Sequence, residues 1–98
     1  MWGGTVNVRF TNSSAATLTH GNATVVYLSQ LGSAYNLSEY ELLGLSNFEI
    51  PSNLPYCFIN RIANNNNSPF VRIRNEYSAD QTINANTVEA NFIYKKKD

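Results

Sequence analysis

Catalysis needs a general base, an activated nucleophile or a bound cation, and this chain holds few residues able to play those parts. His20 is the only histidine and Cys57 the only cysteine. A Cys–His pair between them is therefore the simplest nucleophilic arrangement to consider. His20, however, stands beside Gly21 on the alternating face of a short extended stretch, a position that suits a strand-end residue. No serine or cysteine near it belongs to a nucleophile motif. Cys57 lies in the apolar run Tyr56-Cys57-Phe58-Ile59, where a thiol usually acts as a small buried hydrophobe. A lone cysteine also excludes an intrachain disulfide framework and a two-cysteine metal site within one chain.

Glycoside hydrolysis needs paired carboxylates. Glu39 and Glu41 are two apart and would share one side of a strand. Ser38-Glu39-Tyr40-Glu41 also has the form of a capping box, which accounts for Glu41 without chemistry. Glu76 and Asp80 flank a turn and are expected in solvent. The segment from Asn75 to Asp80 is too sparse in Asp, Asn and Gly for an oxygen-ligated cation. Gly3-Gly4 opens a strand and not a helix, so no glycine loop cradles phosphate. The expectation is a protein without catalysis, cofactor or metal.

Aromatic side chains are the remaining chemical resource. Trp2, Tyr27, Tyr35, Tyr40, Tyr56, Tyr77 and Tyr94 can stack on the C–H faces of sugars, with Asn and Asp hydrogen-bonding the hydroxyls. Tyr27, Tyr56 and Tyr94 fall inside strand patterns, which predicts core packing with the hydroxyl reaching the surface. Tyr35 and Tyr77 fall in predicted loops, where a ring has less packing reason to exist, and these two are the candidate ligand contacts. Loop tyrosines are nonetheless structural more often than not. Four Asn-x-Ser/Thr acceptor triplets begin at Asn12, Asn22, Asn36 and Asn66, but so Asn-, Ser- and Thr-rich a chain produces them by chance.

The elements that must position these residues follow from composition and period. Ninety-eight residues suit one domain, read here as residues 1–98. Charged residues make up only 14% of the chain, so its polar surface is built mainly from Asn, Ser and Thr. All three lysines are Lys95, Lys96 and Lys97. Without that tail, four arginines stand against six carboxylates, a slightly acidic body and a poor partner for nucleic acid. The lysine run reads as a solvated end that blunts edge pairing of the last strand. No stretch reaches the ~18 apolar residues of a membrane helix, so no membrane insertion is expected. The N-terminus lacks a basic region followed by an apolar one.

Period-2 alternation dominates. Val6, Val8 and Phe10 alternate with polar residues, as do Ala16, Leu18 and His20. Ala23 to Leu31 reads as one strand. A single helical turn near Ser38 is followed by a strand over Tyr40 to Ser46, although Leu42, Leu43 and Leu45 also fit a short helix. Ile50 to Pro55 is an extended connection. Tyr56 to Ile62 is a strand, Asn64 to Ser68 a loop tip and Phe70 to Arg74 a strand, with Val71 and Ile73 on one face and Phe70, Arg72 and Arg74 on the other. Gln81 to Ala85 and Thr87 to Lys95 close the chain, the last with Val88, Ala90, Phe92 and Tyr94 on one face. Seven or eight strands at roughly 10-residue spacing predict an all-β fold, an antiparallel β-sandwich or jelly-roll-like domain.

The segments Pro69 to Ala79 and Val88 to Lys95, with Leu37-Ser38-Glu39-Tyr40-Glu41-Leu42-Leu43 and the Trp2-Gly3-Gly4 opening, resemble the closing strands of phage tail-fibre and receptor-binding tip domains. The resemblance implies a homotrimeric β module on a virion appendage, the C-terminal tip of a longer fibre protein. Such a module attaches to host cell-surface polysaccharide or protein. It transfers no functional residue, because such tips bind through variable loops. In this reading the face carrying Phe70, Arg72 and Arg74 is the candidate oligomer interface, since arginine and aromatics are enriched at interfaces. Two alternatives stand beside it: a monomeric carbohydrate-binding module of a secreted bacterial protein, and a capsid or fibre element with no ligand.

Overall fold

A computed structural model describes residues 4–32, 35–65 and 67–97. Trp2, Gly3, Ser33, Asn66 and Asp98, on which parts of the sequence reading fall, lie outside the described residues. The chain is all-β, and the described residues form nine strands: β1 (Thr5–Thr11), β2 (Ala16–Leu18), β3 (Ala23–Tyr27), β4 (Ser29–Gln30), β5 (Tyr40–Glu49), β6 (Cys57–Asn65), β7 (Ser68–Asn75), β8 (Gln81–Ile83) and β9 (Glu89–Lys96). A four-stranded sheet runs β4-β1-β9-β5, a three-stranded sheet runs β3-β7-β6, and β2 pairs with β8. Every pairing is antiparallel. The pairings nest: β1 with β9, β2 with β8, β3 with β7. This is a long ribbon rolled on itself into a jelly-roll-like sandwich.

The sandwich closes because alternation sends one face of each strand inward. In the four-stranded sheet the inward rows are Val6–Tyr94–Leu42, Val8–Phe92–Leu45 and Phe10–Ala90–Phe48. The facing sheet supplies Thr24–Ile73–Ile59 and Val26–Val71–Ile62. Phe10, Phe92 and Tyr94 form an aromatic centre, with Phe10 and Phe92 ring centroids 5.0 Å apart. Each of these fully buried side chains contributes roughly 1.5–3 kcal/mol. The Tyr94 hydroxyl donates to Asn64 Oδ1 at 3.2 Å, tying β9 to β6 across the sandwich.

Several boundaries differ from the sequence reading, each for a local reason. The stretch from Ala23 to Leu31 is two strands in two sheets. The chain changes sheet at Leu28, whose N–H donates to Pro69 O at 2.9 Å. The turn at Leu37–Glu39 is capped by Asn36, which accepts from Ser38 N, so the capping box headed by Ser38 does not form. β5 runs on to Glu49 because two bulges, at Leu43 and Ser46, let Leu42, Leu45 and Phe48 all face inward at a spacing of three. The loop tip expected over Asn64 to Ser68 is narrower than that: β6 reaches Asn65, β7 starts at Ser68, and Asn67 takes φ 66° in the turn before β7. Finally, β9 is a central strand, so the lysines guard no sheet edge. Lys96 instead lies 3.9 Å from the Glu39 carboxylate, and Lys97 Nζ donates to Ser38 O at 3.2 Å.

Two fully buried asparagines join the ladders. At the end of β1, Asn12 donates to Ser14 O and Asn84 O and accepts from Thr87 N and Val88 N, all at 2.9–3.1 Å. At the end of β7, Asn75 donates to Leu18 O and Ala79 O and accepts from Tyr77 N and Gln81 Nε2. Truncating either leaves several desolvated backbone groups without partners. Asn12→Ala and Asn75→Ala should each lower the unfolding free energy by about 3 kcal/mol in urea denaturation. A loss below about 1 kcal/mol would show that water replaces the amide at no cost.

Candidate functional site

His20 does not meet Cys57. Its N–H donates to Asp80 Oδ1 at 2.9 Å, and its ring Nδ1 lies 2.7 Å from the same oxygen, in an exposed clasp between the turn after β2 and the start of β8. The backbone N–H of His20, with the ring contact, holds the Asp80 carboxyl below the usual carboxylate range. Cys57 is half-buried against Gln81 Nε2 at 3.3 Å, and desolvation pushes its thiol up, which leaves little thiolate near neutrality. Glu76 is paired with Arg74 on the surface. Among the described residues no three His, Cys, Asp or Glu side chains cluster around a cation position. Nor, among them, is any helix long and apolar enough to cross a membrane.

The concentration of exposed apolar and cationic side chains is on the outer face of the β3-β7-β6 sheet. Residues opposite the inward set form three rows there: Ala23–Arg74–Phe58, Val25–Arg72–Arg61 and Tyr27–Phe70–Ala63. A bulge at Asn60 brings Arg61 directly opposite Arg72, and Arg72 Nε donates to Asn60 Oδ1 at 2.7 Å. Tyr27 lies edge-on to Phe70, centroids 5.9 Å apart, and covers it. A shallow depression of about 270 Å3 is lined by Val25, Tyr27, Arg61, Ala63, Asn64 and Phe70. Phe70, Arg72 and Arg74 thus share one outward face, as alternation predicts. Phe70 itself is nearly covered, and of the two packed rings it is Tyr27, 53% accessible, that is exposed. Tyr27 was expected in the core. Its alternation with Val26 and Leu28, both buried, is the signal that places it outside.

The two candidate tyrosines part company. Tyr35 is half-buried and packs edge-on against Tyr40 at 5.7 Å, while its backbone N–H and C=O both bond the Gln30 side chain at 2.8 Å. It holds the chain before the helical turn. Tyr77 is exposed and stacks on Tyr56, with centroids 6.1 Å apart and planes inclined by 13°. Tyr56, expected in the core, is instead 65% accessible and takes φ 56°, left-handed backbone that a bulky residue adopts at a cost of about 1–3 kcal/mol. Glu76 N donates to Tyr56 O and Gln81 Nε2 to Pro55 O, which hold the turn in that conformation. The pair stands at the end of the sheet bearing the arginine face, two residues from Phe58, itself 54% accessible.

Comparison with protein-family models, curated proteins and solved structures returns no match.

Tyr94, the third tyrosine expected in the core, is fully buried. Burial pushes its phenol up to about 12 from an ordinary 10, partly offset by the bond to Asn64. The native state holds this proton more tightly than the unfolded chain does. The stability this gives is intact below the unfolded value near 10 and is lost as pH rises towards about 12. Urea midpoints should fall across that window for the wild type and fall less for Tyr94→Phe. Parallel pH profiles for the two proteins would exclude Tyr94 as the source.

Proposed function

We propose that this chain is a non-catalytic domain of a virion appendage, a tail or head fibre, that acts in host-surface attachment or fibre assembly as a homotrimer. The observation that carries the reading is the outer face of the β3-β7-β6 sheet. There Val25, Tyr27 and Phe58 are exposed beside Arg61, Arg72 and Arg74, the pairing of apolar rings with guanidinium groups that enriches protein interfaces. A free sheet face gains nothing from exposing these rings, whereas an interface recovers their burial. The scarcity of charge elsewhere and the resemblance of Pro69 to Ala79 and Val88 to Lys95 to fibre tips support placing it on a virion.

Light scattering at micromolar concentration tests the assembly. The wild type should have the mass of a trimer. Tyr27→Asp and Arg72→Glu should shift it to monomer while circular dichroism retains the β signature. A wild type that stays monomeric throughout ends this reading.

The stacked Tyr56–Tyr77 pair favours a second reading, a monomeric carbohydrate-binding module of a secreted bacterial protein. Flat exposed rings, that of Tyr56 held on left-handed backbone, suit the C–H face of a sugar. Under that reading the monomer binds on a glycan array, and Tyr77→Ala or Tyr56→Ala weakens binding by about tenfold, the worth of one ring contact. Retained binding by both variants would remove the pair from any ligand site.

A further inference from the structure

Two like-charged pairs stand on opposite outer faces of the sandwich. On the three-stranded sheet Arg61 lies directly across from Arg72. Arg72 is bonded only to the neutral Asn60 side chain, and Arg61 has no ion-pair or hydrogen-bond partner among the described residues. On the four-stranded sheet Glu49 lies directly across from Glu89. Both glutamates are exposed on the side opposite the inward Phe48 and Ala90, and neither has an ion-pair partner among the described residues. Arg9, one row along and lining the same small depression as Glu89, forms no ion pair with it. Like charges set directly opposite on a sheet repel. Neither pair is explained by the folding of a single chain.

We infer that the two pairs are halves of one contact, in which the Arg61/Arg72 face of one copy docks on the Glu49/Glu89 face of the next. This rests on the assembly reading above and names the surface that the interface meets. Each pair spans two hydrogen-bonded strands at the same direct-opposite register, so the Cβ atoms that carry the two cations and those that carry the two anions are spaced alike, at about 5 Å. A guanidinium group binds a carboxylate with two parallel N–H donors, which favours arginine over lysine on the cationic side. Tyr27 and Val25, beside the arginines, are covered by the same approach. Because the two patches differ and lie on opposite faces, the contact is head-to-tail. Such contacts close into a ring when the rotation permits and otherwise run on as a filament.

Charge reversal tests this by light scattering. Glu49→Arg with Glu89→Arg, and separately Arg61→Glu with Arg72→Glu, should each weaken self-association by about tenfold or more, and added salt should weaken that of the wild type. Mixing the two double variants should restore association between unlike chains, as heterodimers and open alternating chains, and not the closed three-membered ring, which two alternating chains cannot form. If the wild type associates and reversal of Glu49 and Glu89 leaves its mass unchanged, this pairing is wrong while the assembly reading stands. If the wild type never associates, both fall.

Discussion

A desolvated amide must have all its partners, and this domain turns that constraint into architecture at Asn12 and Asn75. Each side chain is fully buried and uses both donor hydrogens and its acceptor oxygen on the segments around it. Asn12 binds the end of β1 to the connection between β8 and β9. Asn75 binds the end of β7 to β2, to the following turn and to Gln81, and its own backbone pairs with the Gly21-Asn22 turn. These are the places where the rolled ribbon leaves one ladder for another and backbone groups would otherwise face the core unpaired. The short β2–β8 ladder, three residues a side, lies between them. The alternation of the long strands supplies most of the burial, and the two asparagines set where those strands stop.

With the inward faces committed to packing, function falls to what remains outside. The outer face of the four-stranded sheet is largely polar. Its row Thr5–Lys95–Glu41 sets opposite charges side by side, and Ser46 Oγ donates to Asn91 O. The other outer face is different in kind, with three arginines among exposed rings and, among the described residues, Glu76 as the one acid paired to them. The Tyr56–Tyr77 stack extends that chemistry beyond the sheet end. An assembly that covers the arginine face and leaves the tyrosine stack free would separate the subunit contact from a ligand contact on one module.

How much could be read in advance depended on whether a side chain's environment was set by its neighbours in sequence or in space. The inward faces of β1, β7 and β9 were legible because strict alternation leaves only one buried set. β5 was ambiguous for a physical reason. Its two bulges space Leu42, Leu45 and Phe48 three apart, a spacing that also belongs to a helix, and only pairing with β9 resolves it. Arg72 and Arg74 were legible as outward residues. Arg61 was not, because the bulge at Asn60 shifts the face on which it emerges. Tyr56 was misplaced because apolar neighbours suggest a core, whereas its left-handed backbone turns that argument off just before the strand begins. Tyr35 and Tyr77, alike as loop tyrosines, were separated only by what stands next to each: Tyr40 and the core for one, another exposed ring for the other.

The amino-acid order by itself determined the all-β class, the inward residues of the regular strands, the lone thiol and histidine, and the poverty of charge. These depend on period and composition, which are local properties of the chain. Tertiary structure decided which strands pair, and with that which charges stand opposite one another. Arg61 meets Arg72 across a hairpin with one bulge, and Glu49 meets Glu89 across 40 residues of chain. Cross-strand register is a long-range quantity, set by closing the whole sandwich, and no window of sequence contains it.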